Sequence, residues 1–171
     1  MKKVILFALF CLVGLFSANA QKFALIDMEY ITNNIPNYQR ATQQLEQLSK
    51  QYQQEIERKA NEAKSLYEAY QRSSHSLGSS QRTQKEEAIV AKEKEVSELR
   101  NKYFGQEGAM AKKQEELLLP IQDQIYEVVK RIALQKGYDA VIDRASASGL
   151  IFASPRIDIS NEVLGLLGYS K

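Results

Sequence analysis

The sequence of 171 residues contains one cysteine, one histidine, three prolines and no tryptophan. One Cys and one His cannot supply a Cys/His metal site, a disulfide framework or Cys–His catalysis. Lys and Arg number 23 against 21 Asp and Glu, so bulk charge excludes a protein that binds nucleic acid electrostatically. Abundant Gln, Glu, Lys and Ala are typical of long solvated helices. The composition therefore favours a single-domain binding or scaffolding protein.

The first 20 residues have the pattern of a cleaved secretory signal. Lys2 and Lys3 precede an apolar run at 4–16, and small residues lead up to Ala20, as a signal-peptidase site requires. The alternative is a membrane anchor, but 13 helical residues extend only about 20 Å against a hydrocarbon core of about 30 Å. Cleavage after Ala20 also removes Cys11, which lies inside the apolar run. We predict an exported chain, free of thiols, with 21 charges of each sign and zero net charge.

Two long amphipathic helices are predicted between residues 38 and 116. In the first, at 38–72, apolar residues recur every three or four positions, and Asn37 is the expected N-cap. A serine-rich loop at 73–80 follows, and either Ser80 or a capping box at Thr83 and Glu86 is expected to open the second helix. The second helix carries apolar residues at a spacing of seven: Ile89, Val96, Tyr103, Met110 and Leu117. This spacing predicts a coiled-coil seam.

The two helices have matching apolar positions. In an antiparallel hairpin, residues at the same height have sequence numbers with a constant sum. The following pairs all add to 155: Tyr38 with Leu117, Leu45 with Met110, Tyr52 with Tyr103, Ile56 with Leu99, and Leu66 with Ile89. The turn then lies between Leu77 and Gly78, where composition places it independently. We predict a long antiparallel helical hairpin, the arm, with its tip near 73–80.

Gly105 and Gly108 interrupt the second helix, and each weakens a helix by about 1 kcal/mol relative to Ala. We predict a hinge between two helical flanks, so that replacing both glycines with Ala would stiffen the arm and raise thermal stability. The alternative is that the glycines let the two helices approach closely, in which case Ala would clash. Farther along, Pro120 predicts a kink where the arm meets the body.

A small discontinuous body is predicted from residues 21–37 and 117–171. Residues 22–27 are expected to form a strand, and 138–143 with 149–153 to form a short β-hairpin around a polar turn. A short helix is expected at 28–34.

The same region carries signals for helix ends. Gly137 is expected to end the long helix, and Asp158 or Ser160 to cap a last helix that Gly168 ends. So small a body is marginal alone, and exposed apolar strand edges favour self-association. The predicted body and oligomer core consists of apolar side chains: Phe23, Leu25, Val141, Ile142, Leu150 and Phe152.

No set of residues has the pattern of an active site. The sequence Ser74-His75-Ser76 offers a nucleophile and a base, but a loop tip supplies neither an orienting carboxylate nor a dry pocket. Asp27, Asp139, Asp143 and Asp158 are more typical of strand ends and caps than of metal or acid–base sites. We therefore predict a protein that is not an enzyme and that uses no metal or cofactor.

Two surfaces of the arm are candidates for binding. Arg72, Arg82 and Lys85 lie in a stretch without acidic residues, so the tip is basic and would attract an anionic membrane surface. A solvated basic end is the alternative. Tyr67 and Phe104 lie one residue off the seam, beside Tyr70 and Tyr103. We predict these four aromatics as contacts for unfolded chains, the alternative being partial burial in the hairpin.

Four short motifs lie outside the repeating part of the arm: FALIDM at 23–28, LPIQ at 119–122, GYDAVID at 137–143 and DISNEVL at 158–164. Through these motifs the sequence resembles the Skp/OmpH family of periplasmic chaperones for outer-membrane proteins. The resemblance implies an α+β, mainly α fold that assembles as a homotrimer, with a central β body and three hairpins around a cavity. It also implies ATP-independent holding of unfolded outer-membrane β-barrel proteins in the periplasm, without catalytic residues or cofactors. A structural adaptor that docks its hairpin on a folded partner is the alternative function.

The charge of this sequence departs from the family pattern. Well-known members are strongly basic, whereas the predicted mature chain is neutral. Long-range attraction of acidic clients is therefore weaker here. We expect apolar and aromatic contacts and the basic tip to contribute more to binding.

Overall fold

The computed structural model describes residues 21–169, so the predicted signal at 1–20 lies outside the described residues. The chain forms the following elements in order: β1 (Phe23–Ile26), α1 (Met28–Asn33), α2 (Pro36–Ser73), a 3-10 turn (Ser74–Ser76), α3 (Ser79–Phe104), α4 (Ala109–Lys136), β2 (Ala140–Asp143), a 3-10 turn (Pro155–Ile157) and α5 (Ser160–Leu166). The predicted mainly helical fold is confirmed. The described residues form two compact units, one at 30–127 and the other at 21–29 together with 128–169.

Helix α2 begins at Pro36, so the prediction of Asn37 as its N-cap is wrong. The fixed φ of proline suits the first helical position, and proline forces the preceding residue out of the helical region. Ile35 accordingly has extended dihedrals (φ −101°, ψ 108°), and no side chain within the described part caps this end. Asn37 is the second residue of the helix.

The tip of the hairpin is shorter than predicted. Helix α2 continues to Ser73 and a 3-10 turn follows, so only Leu77 and Gly78 separate the helical segments. This confirms the position of the turn. The predicted caps are wrong, because Ser80 and Thr83 both lie inside α3, whose N-cap position is Gly78.

Helices α2 and α3 pack against each other, and an aromatic pair shows their register. The rings of Tyr52 and Tyr103 stack with centroids 3.8 Å apart and planes 6° from parallel. This pair is one of those predicted from the constant sum, and it confirms the antiparallel hairpin. The buried residues of the two helices along this contact are Ile56, Ala63, Ile89 and Tyr103.

The predicted second helix of the arm is in fact two helices, because α3 ends at Phe104 and α4 begins at Ala109. Gly105 leaves the helix with ψ 169°. A Cβ on Gly105 would lie 2.4 Å from the carbonyl oxygen of Asn101, and one on Gly108 would lie 2.8 Å from that of Tyr103. Ala at either position would clash with this backbone, so we now expect it to destabilise the segment, opposite to the prediction from sequence. The close approach is to the chain's own backbone and not to the opposite helix.

Helix α4 runs without interruption from Ala109 to Lys136, with Pro120 inside it. The proline removes one backbone donor but does not end the helix; the predicted kink stays a prediction. Gly137 ends the helix, as predicted, with φ +67°. In this left-handed conformation the N–H of Tyr138 donates to the carbonyl of Ala133 at 2.9 Å.

The sheet contains two parallel strands, β1 and β2, which pair from Phe23 with Ala140 to Ile26 with Asp143. The predicted hairpin of 138–143 with 149–153 is therefore wrong. Strand β2 pairs with β1, near the N-terminal end of the described residues. Residues 149–153 form no strand within the described chain. The chain leaves β2 along β1, since the N–H of Arg144 donates to the carbonyl of Ile26 at 2.8 Å.

Helix α5 follows a second contact with β1. Asp158 forms a parallel bridge with Leu25, and the N–H of Ile159 donates to the carbonyl of Leu25 at 2.9 Å. Neither predicted cap occupies the N-cap position, which belongs to Ile159. Asp158 nevertheless accepts the N–H of Ser160 at 2.9 Å through its side chain. Gly168 follows the helix with φ +85°, as predicted.

Candidate functional site

The aromatic residues at the level of Tyr52 form a three-ring array. Tyr103 stacks on Tyr52, and Phe104 meets Tyr52 edge-on, with centroids 6.3 Å apart and planes at 87°. The hydroxyl of Tyr103 donates to Glu55 Oε2 at 2.7 Å, and this hydrogen bond raises the pKa of Tyr103. Tyr103 is thus a buried seam residue, and both its ring and its hydroxyl contact the opposite helix of the hairpin.

Phe104, in contrast, flanks the seam and is 39% exposed. It borders a cleft of about 490 Å³ along one side of the contact between α2 and α3. The cleft is lined by residues of both helices: Gln53, Ile56, Glu57, Ala60, Arg100 and Phe104. The small side chain of Ala60 leaves the space open beside the ring.

Tyr67 and Tyr70 lie nearer the tip and differ in exposure. Tyr67 is exposed, and its hydroxyl accepts a hydrogen bond from Gln71 Nε2 at 2.9 Å. Tyr70 is half-buried, and its hydroxyl donates across the hairpin to Glu86, which raises the pKa of Tyr70. The structure therefore separates the four predicted aromatics into seam residues, Tyr70 and Tyr103, and flanking residues, Tyr67 and Phe104.

The basic tip is arranged around the turn. Arg82 Nη2 donates to the carbonyl of Ser74 at 3.1 Å, so this guanidinium also closes the turn. Arg72 and Lys85 are exposed and form no ion pair with any residue in 21–169. His75 lines a groove with Tyr67, Tyr70 and Arg82, but no carboxylate lines it. This geometry suits charge attraction better than nucleophilic catalysis.

A network of four charges lies across the hairpin, and sequence reasoning missed it. Lys59 Nζ lies 2.6 Å from Glu95 Oε1, Lys92 Nζ lies 2.7 Å from Glu95 Oε2, and both amines lie 3.7 Å from Glu62. Hydrogen bonds from Lys59 and Lys92 lower the pKa of Glu95 to about 2. The available signal was Lys92, a charge at a heptad position where the seam calls for an apolar residue.

The four aspartates of the body have structural partners. Arg144 pairs with Asp27 at 3.1 Å and with Asp158 at 3.4 Å, and Asp139 accepts the N–H of Lys22 at 2.7 Å. Asp143 accepts the N–H groups of Met28 and Ala145, each at 3.1 Å. Burial opposes ionisation of Asp143, but these hydrogen bonds lower its pKa. Among residues 21–169 no group of three or more His, Cys, Asp or Glu is placed to hold a metal ion.

The six residues predicted as body and oligomer core differ in exposure. Leu25 is buried and Val141 is half-buried, whereas Phe23, Ile142 and Leu150 are each about 40% exposed. Phe152 is 82% exposed, and its neighbour Ile151 is fully exposed. Their contact with other copies of the chain stays a prediction.

Comparison with known proteins decides the family. Residues 22–167 match the family described as outer membrane protein (OmpH-like). The chain belongs to the OmpH-like family. The relatives include chaperone protein Skp of Photorhabdus luminescens, 31% identical over 84% of this chain and 87% of that protein. Chaperone protein Skp of Photorhabdus laumondii is 29% identical over 96% of this chain and 98% of that protein.

A third relative, chaperone protein Skp of Yersinia enterocolitica, is 28% identical over 86% of this chain and 87% of that protein. These matches confirm the predicted Skp/OmpH resemblance and assign the chain to a family of chaperones and not of enzymes. Within the described residues, no helix is both long enough and apolar enough to span a membrane.

Proposed function

We propose that this protein is a periplasmic holdase that binds unfolded outer-membrane β-barrel proteins without ATP and keeps them from aggregating. The observation that carries the proposal is the family match across residues 22–167. The arm supports it, because the hairpin presents half-exposed aromatic side chains such as Tyr67 and Phe104 beside its seam. Such amphipathic rings offer adaptable contacts to chains of many sequences.

The test of holdase activity is dilution of a urea-unfolded outer-membrane barrel into buffer with residues 21–171. At one trimer equivalent per barrel we expect light scattering from aggregates to be suppressed. Because the mature chain has equal numbers of acidic and basic residues, we expect this suppression to change little between low and physiological salt. Aggregation equal to that of the barrel alone would contradict the proposal.

We further propose that the protein acts as a homotrimer. The segment at 149–153 supports this, since Ile151 and Phe152 are almost fully exposed and that segment has no strand partner within 21–169. Burying these side chains against other copies would remove apolar surface from water. Light scattering coupled to size exclusion should give the mass of three chains. A monomer at all concentrations would contradict a homotrimer with three hairpins around a cavity, and it would favour a structural adaptor.

The periplasm is the proposed location, reached by cleavage of the predicted signal after Ala20. Fractionation of cells that express the full chain should recover it in the periplasm, and N-terminal sequencing should begin at Gln21. A chain that retains Met1 and stays with the inner membrane would indicate an anchor instead.

An anionic membrane surface is the proposed contact of the basic tip. Arg72 and Lys85 are exposed and unpaired among the described residues, so the tip has positive charge available for lipid. Sedimentation with vesicles containing phosphatidylglycerol should exceed that with phosphatidylcholine alone, and it should fall when Arg72, Arg82 and Lys85 are replaced by Gln. Equal sedimentation with both vesicles would contradict this contact.

A further inference from the structure

We propose that the cleft beside Phe104 binds an aromatic side chain of the unfolded client, while the rim of the cleft hydrogen-bonds to the client backbone on either side. This inference rests on the proposed holdase function and names where and how a client is recognised. It concerns one face of the α2–α3 hairpin and uses only residues of that hairpin.

The floor of the cleft is the open end of the aromatic array. Tyr103 stacks on Tyr52, and Tyr52 meets Phe104 edge-on, whereas Phe104 lines the cleft and is 39% exposed. An incoming ring would continue this array by packing against Phe104. The remaining floor is apolar, with Ile56 in the seam and the small Ala60 leaving room for the ring.

The rim of the cleft supplies charged and amide groups that can form hydrogen bonds. Arg100 and Glu57 line the cleft, and neither forms an ion pair within the described chain. Gln53 adds an amide whose Nε2 donates one hydrogen bond to Ser49 Oγ at 3.3 Å, which leaves its second N–H and its carbonyl oxygen for a client backbone. Guanidinium and amide N–H groups match peptide carbonyls, and the carboxylate and amide oxygens match peptide N–H groups. An extended backbone beside the bound ring would therefore keep its hydrogen bonds on leaving water.

This combination suits a chaperone because it selects one side-chain class and tolerates any sequence around it. Aromatic pairs contribute beyond their buried area, whereas backbone hydrogen bonds are common to all clients. The volume of about 490 Å³ lies within the range of small-ligand pockets, so one ring and its flanking backbone fit. A leucine would fill part of the space but would not continue the ring array.

The experiment uses two fluorescent peptides of equal length and charge, with polar residues alternating with Tyr and Phe in one and with Leu in the other. By anisotropy, residues 21–171 should bind the aromatic peptide about two- to tenfold more tightly, as expected for one aromatic pair. Phe104→Leu and Ala60→Leu should each abolish this ratio, the first by removing the ring and the second by filling the cleft. Arg100→Gln should weaken both peptides equally.

Matched controls come from the same helices. Ala69→Leu adds the same side chain at an exposed position of α2 outside the cleft and should keep the ratio. A photocrosslinking residue at Gln53 should capture the aromatic peptide, whereas one at Gln51, about 200° away around the helix, should not. If Phe104→Leu melts early, Ala60→Leu on the opposite helix still decides the question.

The outcomes separate the two proposals. A wild-type protein that suppresses barrel aggregation but binds both peptides equally, or an Ala60→Leu variant that behaves like Ala69→Leu, would overturn the cleft and leave the holdase standing. A wild-type protein that neither suppresses aggregation nor binds either peptide would overturn the holdase and the cleft together.

Discussion

The hairpin and the body of this protein are stabilised by contacts of different kinds. In the hairpin, helices α2 and α3 meet along a repeating seam, where Tyr52 and Tyr103 stack and Lys59 pairs with Glu95. In the body, β1 pairs in parallel with β2, although more than a hundred residues of chain lie between the two strands. A repeat can be recognised in sequence, whereas a pairing between single short strands cannot.

The difference also predicts where substitutions are costly. The seam spreads its contacts along two long helices, where buried residues such as Ile56 and Ile89 alternate with half-buried ones such as Tyr52, so few residues are fully enclosed. The body concentrates burial in a few side chains, among which Leu25 and Val163 are almost fully buried. We therefore expect the largest single-residue effects in the body and the smallest among the charges of the arm.

The largest effect is expected from Leu25→Ala in β1. Leu25 is 3% exposed, and truncating a buried leucine costs about 2–5 kcal/mol because a cavity remains. Urea unfolding followed by circular dichroism should show this loss. Ile142→Ala is the matched control, since Ile142 pairs with Leu25 in the sheet but is 40% exposed. An equal loss of unfolding free energy in both variants would contradict the expectation that Leu25 is the more important core residue of this pair.

The next largest effect is expected at the helix break, with Gly108→Ala and Gly105→Ala. The added Cβ would meet backbone atoms at 2.8 Å and 2.4 Å respectively, and such overpacking costs about 1–3 kcal/mol. Thermal melting should therefore shift downward for both variants. Gly165→Ala is the control, because Gly165 lies in α5 with open space around it and should gain up to about 1 kcal/mol. A raised melting temperature for Gly108→Ala would restore a continuous helix as the preferred state.

A smaller effect is expected from Tyr52→Leu in the seam. Leucine keeps most of the apolar contact but loses the stack on Tyr103 and the edge contact with Phe104. Aromatic pairs contribute about 0.5–1.5 kcal/mol beyond their area, so the free energy of unfolding should fall by about that amount. Tyr67→Leu, at an exposed position on the same helix, should leave it nearly unchanged.

The smallest effect is expected from Glu95→Gln, and it should depend on pH. The pKa of Glu95 is lowered from its ordinary 4.5 to about 2, so its ionised form stabilises the fold above about pH 4.5. That contribution is lost as the pH falls from 4.5 through 2. Wild type should therefore melt slightly above the variant at pH 7, and the two should converge near pH 2. Glu98→Gln, whose exposed carboxylate lies 3.7 Å from Lys94, should show less dependence. Parallel melting curves for wild type and Glu95→Gln at all pH values would contradict the role of the network.

Much of the arm could be predicted from sequence because its signals are local. The spacing of apolar residues and the constant sum predicted the turn between Leu77 and Gly78 and the pairing of Tyr52 with Tyr103. Helix ends were predicted well where glycine has a positive φ, at Gly137 and Gly168, because this conformation is a property of the residue itself. The N-caps were predicted poorly, since Pro36 and Gly78 start their helices through backbone geometry without a capping side chain in the described chain.

The candidate site was only partly predictable. Sequence position identified Phe104 and Tyr67 as residues beside the seam, and both are partly exposed. The cleft itself depends on Ala60 and Arg100, which come from different helices. Neither residue by itself predicts a cleft in the sequence. The charge network likewise depends on which acidic residue lies opposite Lys92.

The sequence by itself determined the helical class, the hairpin register, the position of the tip and the family likeness, because periodicity and short motifs encode them within a few residues. Only the tertiary structure decided that 149–153 forms no strand within the described residues while β2 joins β1, and that the helix weakened at Gly105 and Gly108 is fully broken between Phe104 and Ala109. Strand pairing depends on which edge is available once the chain is folded. The break depends on how closely the Gly105 and Gly108 backbones approach neighbouring carbonyls. Both are properties of the folded chain, and residue preferences alone do not specify them.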